Sequence, residues 1–147
     1  MKTGLPGKQK GTAAIEFIGV FVIFFAVFYG MVSYSLPLLL MQSFTQATAE
    51  AVRQSVGLDP SMPGYNAAVQ NTAKTAVAQR LGWIPALYKF DAATQVTTTF
   101  TPAGLLSVKI SYPSANLQSV MPFIVLPGIG TVPQLPVTLQ AQSSLQF

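Results

Sequence analysis

Hydrophobic residues dominate one long stretch near the start of the chain. No charged residue occurs from Phe17 to Ala49, and the 25 residues Phe17–Met41 are interrupted only by two serines and one proline. A helix needs about 20 apolar residues to cross a bilayer. The run is apolar on every side, which is typical of a helix surrounded by lipid or by other helices rather than of an amphipathic helix. The pattern therefore predicts a transmembrane helix over residues 12–41.

Apolar residues recur at helical spacing beyond this run, at Phe44, Ala47, Ala51, Val52 and Val56. Polar residues lie between them, so we expect the helix to leave the membrane as an amphipathic stalk and to stop at Gly57. From Thr12 to Val56 such a helix is about 68 Å long at 1.5 Å per residue. Pro37 lies inside it and is expected to kink it or to unwind it locally.

A second amphipathic helix is predicted further along the chain, from about Gly64 to Leu81. Asp59 or Ser61 can cap its start, and Gly82 can end it. Its apolar face comprises Tyr65, Val69, Ala73, Ala76, Val77 and Leu81. The small residues of this face indicate close packing on another helix or on a sheet.

In the C-terminal half, the hydrophobic pattern alternates with a period of two, which is typical of strands with one buried face. Two such segments, over residues 95–100 and 106–112, flank Thr101–Gly104, whose proline and glycine positions match a type I turn. A third covers residues 137–147, where Ser143 is the one polar residue on the apolar face. The predicted fold class is therefore α+β: a long N-terminal transmembrane helix continuing into a stalk, a second helix and a small antiparallel β-sheet.

Two apolar features fall outside these elements. The segment Pro113–Pro136 contains five prolines and is strongly apolar. We expect it either to fold back over the core or to contact another subunit or the membrane. For Trp83, burial in the core is favoured over a position at the membrane interface, because aromatic side chains dominate core burial.

The composition supports a membrane location. Half of the residues are hydrophobic and 8% are charged, whereas a soluble domain averages about 25% charged residues. Three of the eight bases, Lys2, Lys8 and Lys10, precede the apolar run. By the positive-inside rule, this end stays in the cytoplasm and the remainder is exported. The predicted organisation is a basic cytoplasmic leader over residues 1–11, the transmembrane helix over residues 12–41 and an extracytoplasmic α+β domain over residues 42–147.

A conventional secretory signal peptide is the first alternative to this topology. The apolar region of such a peptide runs about 7–15 residues and ends at a small-x-small site. The apolar run here is longer. The nearest small-x-small site, Ala47–Ala49, lies well beyond the normal cleavage distance.

The chain contains no cysteine and no histidine. Disulfides, thiolate zinc sites and nucleophiles built on cysteine or histidine are therefore excluded. The four acids are scattered along the sequence, and no basic stripe with interleaved aromatic residues is present. We expect no catalytic residues, no metal, no cofactor and no nucleic-acid binding.

One acidic residue, Glu16, lies at the beginning of the apolar run. The simplest interpretation is that a carboxylate in the first turn of a helix is favoured by the helix dipole, by about 0.3–1 kcal/mol. A second applies if the chain is cut after Gly11, because Thr12 then carries a free ammonium group four residues before Glu16. The two charges fall on one helix face, and in apolar surroundings each is much less costly when paired.

These residues resemble the type III signal of type IV pilins and pseudopilins. A basic tail, Gly11, Glu16 and a long apolar run follow that pattern, and Ala13–Phe17 is similar to the start of TadE-like proteins. The resemblance implies that a prepilin peptidase cuts between Gly11 and Thr12 on the cytoplasmic side. It also implies that Glu16, followed by the aromatic Phe17, guides subunit assembly by pairing with an N-terminal amine.

The C-terminal half is also similar to TadE-like proteins. The resemblance rests on Val108–Pro113, on an apolar proline-rich segment containing Leu126–Gly128, and on the alternating final strand. Both ends of the chain therefore carry it.

The resemblance implies a TadE-like minor pilin or pseudopilin, a non-enzymatic subunit in the assembly of a tight-adherence type IV pilus. It implies a single-pass protein of the bacterial inner membrane, with a periplasmic C-terminus and incorporation into an extracellular pilus as a further step. The expected partners are the prepilin peptidase, other pilin or pseudopilin subunits, the inner-membrane assembly platform and membrane lipid. One alternative is an uncleaved single-pass protein whose exported domain binds another envelope or secretion-system component. A type II secretion pseudopilin is another, and it shares the signal but usually has a different C-terminal domain.

Overall fold

The computed structural model describes residues 9–126 and 128–147 of the chain. The residues Lys2 and Lys8 of the predicted leader lie outside this part, as does Pro127. The elements, in chain order, are α1 (Gln9–Ser55), α2 (Tyr65–Arg80), α3 (Ala92–Gln95), β1 (Val96–Phe100), β2 (Leu105–Pro113), β3 (Ile124–Leu126), β4 (Gly130–Val132) and β5 (Thr138–Gln146). Short 3-10 helices follow α2 and β2. The α+β class predicted from the sequence is confirmed.

Helix α1 is one continuous helix of 47 residues, which is about 70 Å long at 1.5 Å per residue. The local unwinding expected at Pro37 does not occur, because the helix passes through this residue without interruption. Pro37 and its neighbours Ser33 and Leu40 are buried against the folded domain. This packing holds the helix where the missing backbone N–H of proline weakens it.

The two halves of α1 have different surroundings. Every side chain from Gly11 to Phe25 is exposed. A buried stripe begins further along the helix and consists of Ser33, Pro37, Leu40, Phe44, Ala47, Thr48, Ala51, Val52 and Ser55. This stripe packs against α2, β2 and β5. The folded domain thus covers the C-terminal half of α1 and leaves the N-terminal half free.

Strands β1, β2 and β5 form an antiparallel sheet in which β2 is central. The four side chains of β2 that face the helices, as the alternation predicts, are fully buried: Leu106, Val108, Ile110 and Tyr112. Gly104 closes the β1–β2 turn at a φ of 79°. A Cβ at this position would lie 2.2 Å from the carbonyl oxygen of Phe147, so the turn requires glycine.

The core is formed where α1 crosses the sheet. The ring of Phe44 lies 5.6 Å from the rings of both Phe90 and Tyr112, measured between centroids. Such offset aromatic pairs add stability beyond the area that they bury. Tyr112 also donates a hydrogen bond of 2.6 Å to the carbonyl oxygen of Tyr88. One aromatic cluster therefore joins α1, the sheet and the connection after α2.

The proline-rich segment Pro113–Pro136 has structure of its own. Its first part includes a 3-10 helix over Ser114–Ser119 and packs on the core through the buried residues Leu117 and Met121. Its second part contains β3 and β4, which pair as a separate antiparallel ribbon. The segment folds back over the core in its first part, whereas the tip of the ribbon stays exposed.

Several predictions of detail are wrong. Gly64, in the left-handed region, precedes α2 without any side-chain cap, because Asp59 is engaged by the backbone and hydroxyl of Ser61. Trp83 is 54% exposed rather than in the core, since it lies in the turn after α2 beyond the cover of the other elements. Val56 and Leu145 are also exposed, because α1 ends at Ser55 and no element covers the groove between them.

Candidate assembly site

The residues predicted to direct processing and assembly lie near the start of α1. Gly11, Thr12, Glu16 and Phe17 are all helical and exposed. Because the helix is intact here, Thr12 and Glu16 lie about one turn apart on the same face, about 6 Å along the axis. The structure therefore brings the predicted cleavage position and Glu16 together. Cleavage itself and the pairing of Glu16 with an amine stay predictions.

The helix dipole does not account for Glu16 in the uncut chain. Helix α1 begins at Gln9 and has no acidic residue in its first turn. Glu16 is therefore about two turns inside the helix, where the effect of the dipole has fallen off. Removal of residues 1–11 would make Glu16 the fifth residue of the chain and return it to the vicinity of a helix start.

Glu16 also has no internal partner among the residues with described side chains, 11–126 and 128–147. The ion pair found there is formed by Glu50 and Arg53, with 2.7 Å between Oε1 and Nη2. Glu16 lies at the edge of the apolar half of the helix, with Ile15 and Phe17 both highly exposed beside it. An exposed carboxylate at the start of an apolar surface is available to a cation supplied by another molecule.

An aromatic ladder continues from Phe17 along one face of α1. Successive rings of Phe17, Phe21, Phe25 and Tyr29 are stacked, with centroids 6.1, 6.2 and 6.5 Å apart. Residues four apart are neighbours on a helix surface, so the sequence spacing contains this signal. Our sequence interpretation, which considered the apolar run as a whole, did not identify it. The ladder gives the helix an aromatic face that can contact lipid or another helix.

Two tyrosines mark where the folded domain meets the apolar helix. The hydroxyl of Tyr29 donates to the carbonyl oxygen of Pro122. The hydroxyl of Tyr34 accepts a hydrogen bond of 2.9 Å from the backbone N–H of Gln134. Both residues belong to the apolar run Phe17–Met41. The domain therefore contacts α1 inside the segment that is apolar enough to cross a membrane.

The stalk has its own polar cluster. Hydrogen bonds from Arg53 and Gln54 lower the pKa of Glu50 to about 2. With Gln46 and Arg80, these residues line a groove between α1 and α2. The groove is open to solvent and is lined by two arginines and one glutamate. Because ion pairs at exposed positions contribute little, the Glu50–Arg53 pair adds little to the stability of the fold.

The remaining acidic residues organise turns. Asp91 accepts a hydrogen bond from the N–H of Ala93, which caps α3, and that bond and the hydroxyl of Thr94 lower its pKa. The backbone N–H and the hydroxyl of Ser61 lower the pKa of Asp59 in the same way. Within residues 9–126 and 128–147, no group of three or more His, Cys, Asp or Glu could hold a metal ion.

The chain belongs to the class of proteins in which an α+β domain is carried on an N-terminal helix that is long and apolar enough to cross a membrane. Comparison with known families then gives the particular relationship. The sequence model of the family described as TadE-like protein matches residues 11–53, which include Gly11, Glu16 and the stalk. This match confirms the resemblance to TadE-like proteins of tight-adherence pilus systems over the N-terminal part of the chain, whereas the resemblance of the C-terminal half stays a prediction. No curated protein and no solved structure matches the chain.

Proposed function

We propose that this protein is a TadE-like minor pilin or pseudopilin, a non-enzymatic subunit in the assembly of a tight-adherence type IV pilus. The observation that carries the proposal is the start of α1. There an exposed Glu16, which has no partner among the described side chains, lies one turn after Thr12 on an exposed apolar helix, within the segment that matches the TadE-like family.

In this proposal, a prepilin peptidase removes residues 1–11 on the cytoplasmic side of the inner membrane. The new ammonium group of Thr12 on one subunit pairs with the carboxylate of Glu16 on another subunit. In apolar surroundings, each unpaired charge is strongly disfavoured. Only an axial offset that brings the two together is then stable, so the pair sets the register between neighbouring helices.

The exposed half of α1 supplies the lateral contacts. Its side chains from Gly11 to Phe25 are all exposed. The partners are lipid before assembly and the apolar helices of other pilin subunits afterwards. The inner-membrane assembly platform is the remaining partner, and the exported domain, which packs on the stalk, provides the surface that the assembled structure displays.

Substitution of Glu16 tests this role. Glu16→Gln retains the size and the hydrogen-bonding ability of the side chain and removes its charge. If Glu16 pairs with an incoming amine, the loss of one partner of the buried pair costs about 3–5 kcal/mol. Since each 1.4 kcal/mol is tenfold, the association constant falls about a hundredfold or more. We expect normal membrane insertion and normal cleavage, but failed incorporation or failed pilus formation, measured by surface pili and membrane-fraction levels.

Two further variants make the experiment specific. Glu50→Gln is the matched control, because it makes the same chemical change in the same helix outside the apolar half, and it should leave piliation normal. Glu16→Asp retains the charge and should restore part of the pilus formation. Wild-type piliation of the Glu16→Gln variant would contradict the assembly role of Glu16.

A further inference from the structure

The ribbon β3–β4 presents exposed apolar side chains on the surface of the domain. Val125 is 71% exposed and Ile129 is 66% exposed. No charged residue follows Lys109, so the whole sequence from residue 110 to residue 147 is uncharged. Exposed apolar residues clustered on one element of a soluble domain indicate a contact with a partner or with a membrane.

The position of the ribbon along α1 indicates which of these it contacts. The residues that flank the ribbon are tied to α1 by the Tyr29–Pro122 and Tyr34–Gln134 hydrogen bonds. Counted from Glu16 at 1.5 Å per residue, these two tyrosines lie about 20 and 27 Å along the helix axis. The hydrocarbon core of a bilayer is about 30 Å thick. If Glu16 lies at the cytoplasmic boundary, the base of the ribbon lies about 3–10 Å from the opposite boundary of the hydrocarbon core.

The backbone of the ribbon suits that environment. Its strands pair with each other over Ile124–Val132, and the N–H of Ile129 donates a 3.1 Å hydrogen bond to the carbonyl oxygen of Leu126 across the tip. The inner backbone groups are therefore satisfied, whereas those on the outer edges of a two-stranded ribbon need polar partners. The headgroup region provides such partners and the hydrocarbon centre does not.

We propose that the β3–β4 ribbon is a second membrane-contact element, which places Val125 and Ile129 in the headgroup region of the extracytoplasmic leaflet beside α1. The ribbon then fixes the domain in height and orientation relative to the bilayer. It is uncharged, so it does not depend on anionic lipid, and burial of its apolar side chains stabilises the contact. This proposal rests on membrane insertion of α1, which is part of the proposed function.

Single-cysteine labelling tests the proposal, since the natural chain has no cysteine. The full-length protein carries an environment-sensitive fluorophore at Val125→Cys or Ile129→Cys, both at exposed positions where the fold tolerates substitution. It is placed in nanodiscs of phosphatidylethanolamine and phosphatidylglycerol, with one copy per disc. Two control positions are labelled in the same way: Val22→Cys, on the exposed apolar half of α1, and Ala103→Cys, in the exposed β1–β2 turn.

We expect aqueous iodide to quench the two ribbon labels several-fold less than the label at position 103. Nitroxide-bearing lipids should quench the ribbon labels best when the nitroxide is close to the headgroup, and the label at position 22 best when it is deep in the acyl chains. If the label at position 22 responds to deep nitroxide but the ribbon labels are as accessible to iodide as position 103, the ribbon proposal alone is overturned.

Two other outcomes also decide against it. If no nitroxide lipid quenches the label at position 22, α1 is not inserted in the membrane, and both proposals are contradicted. Protection of the ribbon labels that appears only when discs contain two copies would assign the ribbon to a contact between subunits instead of to lipid.

Discussion

Several polar side chains of the domain have hydrogen-bond partners within the chain. Asp91 caps α3, and the hydroxyl of Ser114 donates to the carbonyl oxygen of Pro136 at 2.6 Å. The hydroxyl of Thr48 on α1 pairs with that of Ser143 on β5 at 3.0 Å. Glu16 differs from these residues, because among the side chains that the structure describes it has no hydrogen-bond or ion-pair partner. That contrast is why we assign it a role between molecules.

Tyr112 provides a test of the core at the residue scale. Tyr112→Phe removes the hydrogen bond to the carbonyl oxygen of Tyr88, and we expect the free energy of unfolding to fall by about 0.5–1.5 kcal/mol at neutral pH. Tyr65→Phe is the control, because within the described residues the hydroxyl of Tyr65 makes no hydrogen bond, and it should change stability little. Denaturant unfolding of the detergent-solubilised protein measures both, and equal effects of the two variants would contradict the role of Tyr112.

The same residue predicts a dependence on pH. Burial raises the pKa of Tyr112 from its ordinary value of 10.0 to about 12. A raised pKa means that the folded state holds its proton longer than the unfolded state, so the contribution to stability is full below pH 10.0 and is lost as the pH rises through about 12. The Tyr112→Phe variant should therefore lose less stability over this alkaline range than the wild type does.

At the scale of elements, α1 joins the two parts of the molecule through a stripe of small side chains. Ala47, Thr48, Ala51 and Ser55 are all fully buried. Small residues at these positions allow α2 and the sheet to approach the helix closely. The stalk therefore packs directly on the domain over this stripe.

A pair of alanines tests this packing. Ala47→Leu adds a large side chain where the native residue is 0% exposed, and we expect it to lower the free energy of unfolding by about 1–3 kcal/mol through overpacking. Ala49→Leu makes the same change at an exposed position of the same helix and should alter it by less than about 0.5 kcal/mol. Thermal unfolding followed by near-ultraviolet circular dichroism distinguishes them, and a fully tolerated Ala47→Leu would show that this interface is loose.

The periodic elements could be predicted from the sequence, because burial on one face leaves a regular pattern. The face of β2 from Leu106 to Tyr112 is the clearest case. Features that depend on distant residues could not be predicted in this way. Ser143 interrupts an apolar face because its partner is Thr48, 95 positions away. Trp83 is exposed because no element covers the turn after α2.

The candidate assembly site was predictable for a different reason. Gly11, Thr12 and Glu16 are close in sequence, so an intact helix suffices to bring them together. The Tyr29 and Tyr34 contacts with the proline-rich segment could not be foreseen, because they join residues 93 and 100 positions apart. They depend on how the domain folds back along α1.

At the scale of the whole molecule, charge and hydrophobicity are arranged along one axis. In the sequence, three lysines precede the apolar half of α1, and in the structure the domain packs on the other half of this helix. This arrangement favours a cytoplasmic N-terminus and an exported domain. In that orientation, the predicted cleavage position at Gly11 would lie on the cytoplasmic side and the domain on the opposite side.

A reporter fusion tests that orientation. An enzyme that is active only outside the cytoplasm, fused after Phe147, should be active. As a matched comparison, a reporter active only in the cytoplasm should be inactive at the same position. If the first reporter is inactive and the second is active, the C-terminus lies in the cytoplasm, which contradicts both the predicted orientation and the pilin-type role.

The central claim, that the chain is processed as a pilin-type subunit, is tested most directly by N-terminal sequencing of protein extracted from membranes. The account predicts a start at Thr12. Gly11→Leu should block cleavage and leave a start at Met1, whereas the control Gly19→Leu should still start at Thr12. The two variants are comparable in fold, because a Cβ meets no atom within 4 Å at either glycine. A wild-type start at Met1 would contradict the account and support an uncleaved membrane protein, and a start at Glu50 would indicate a conventional signal peptide.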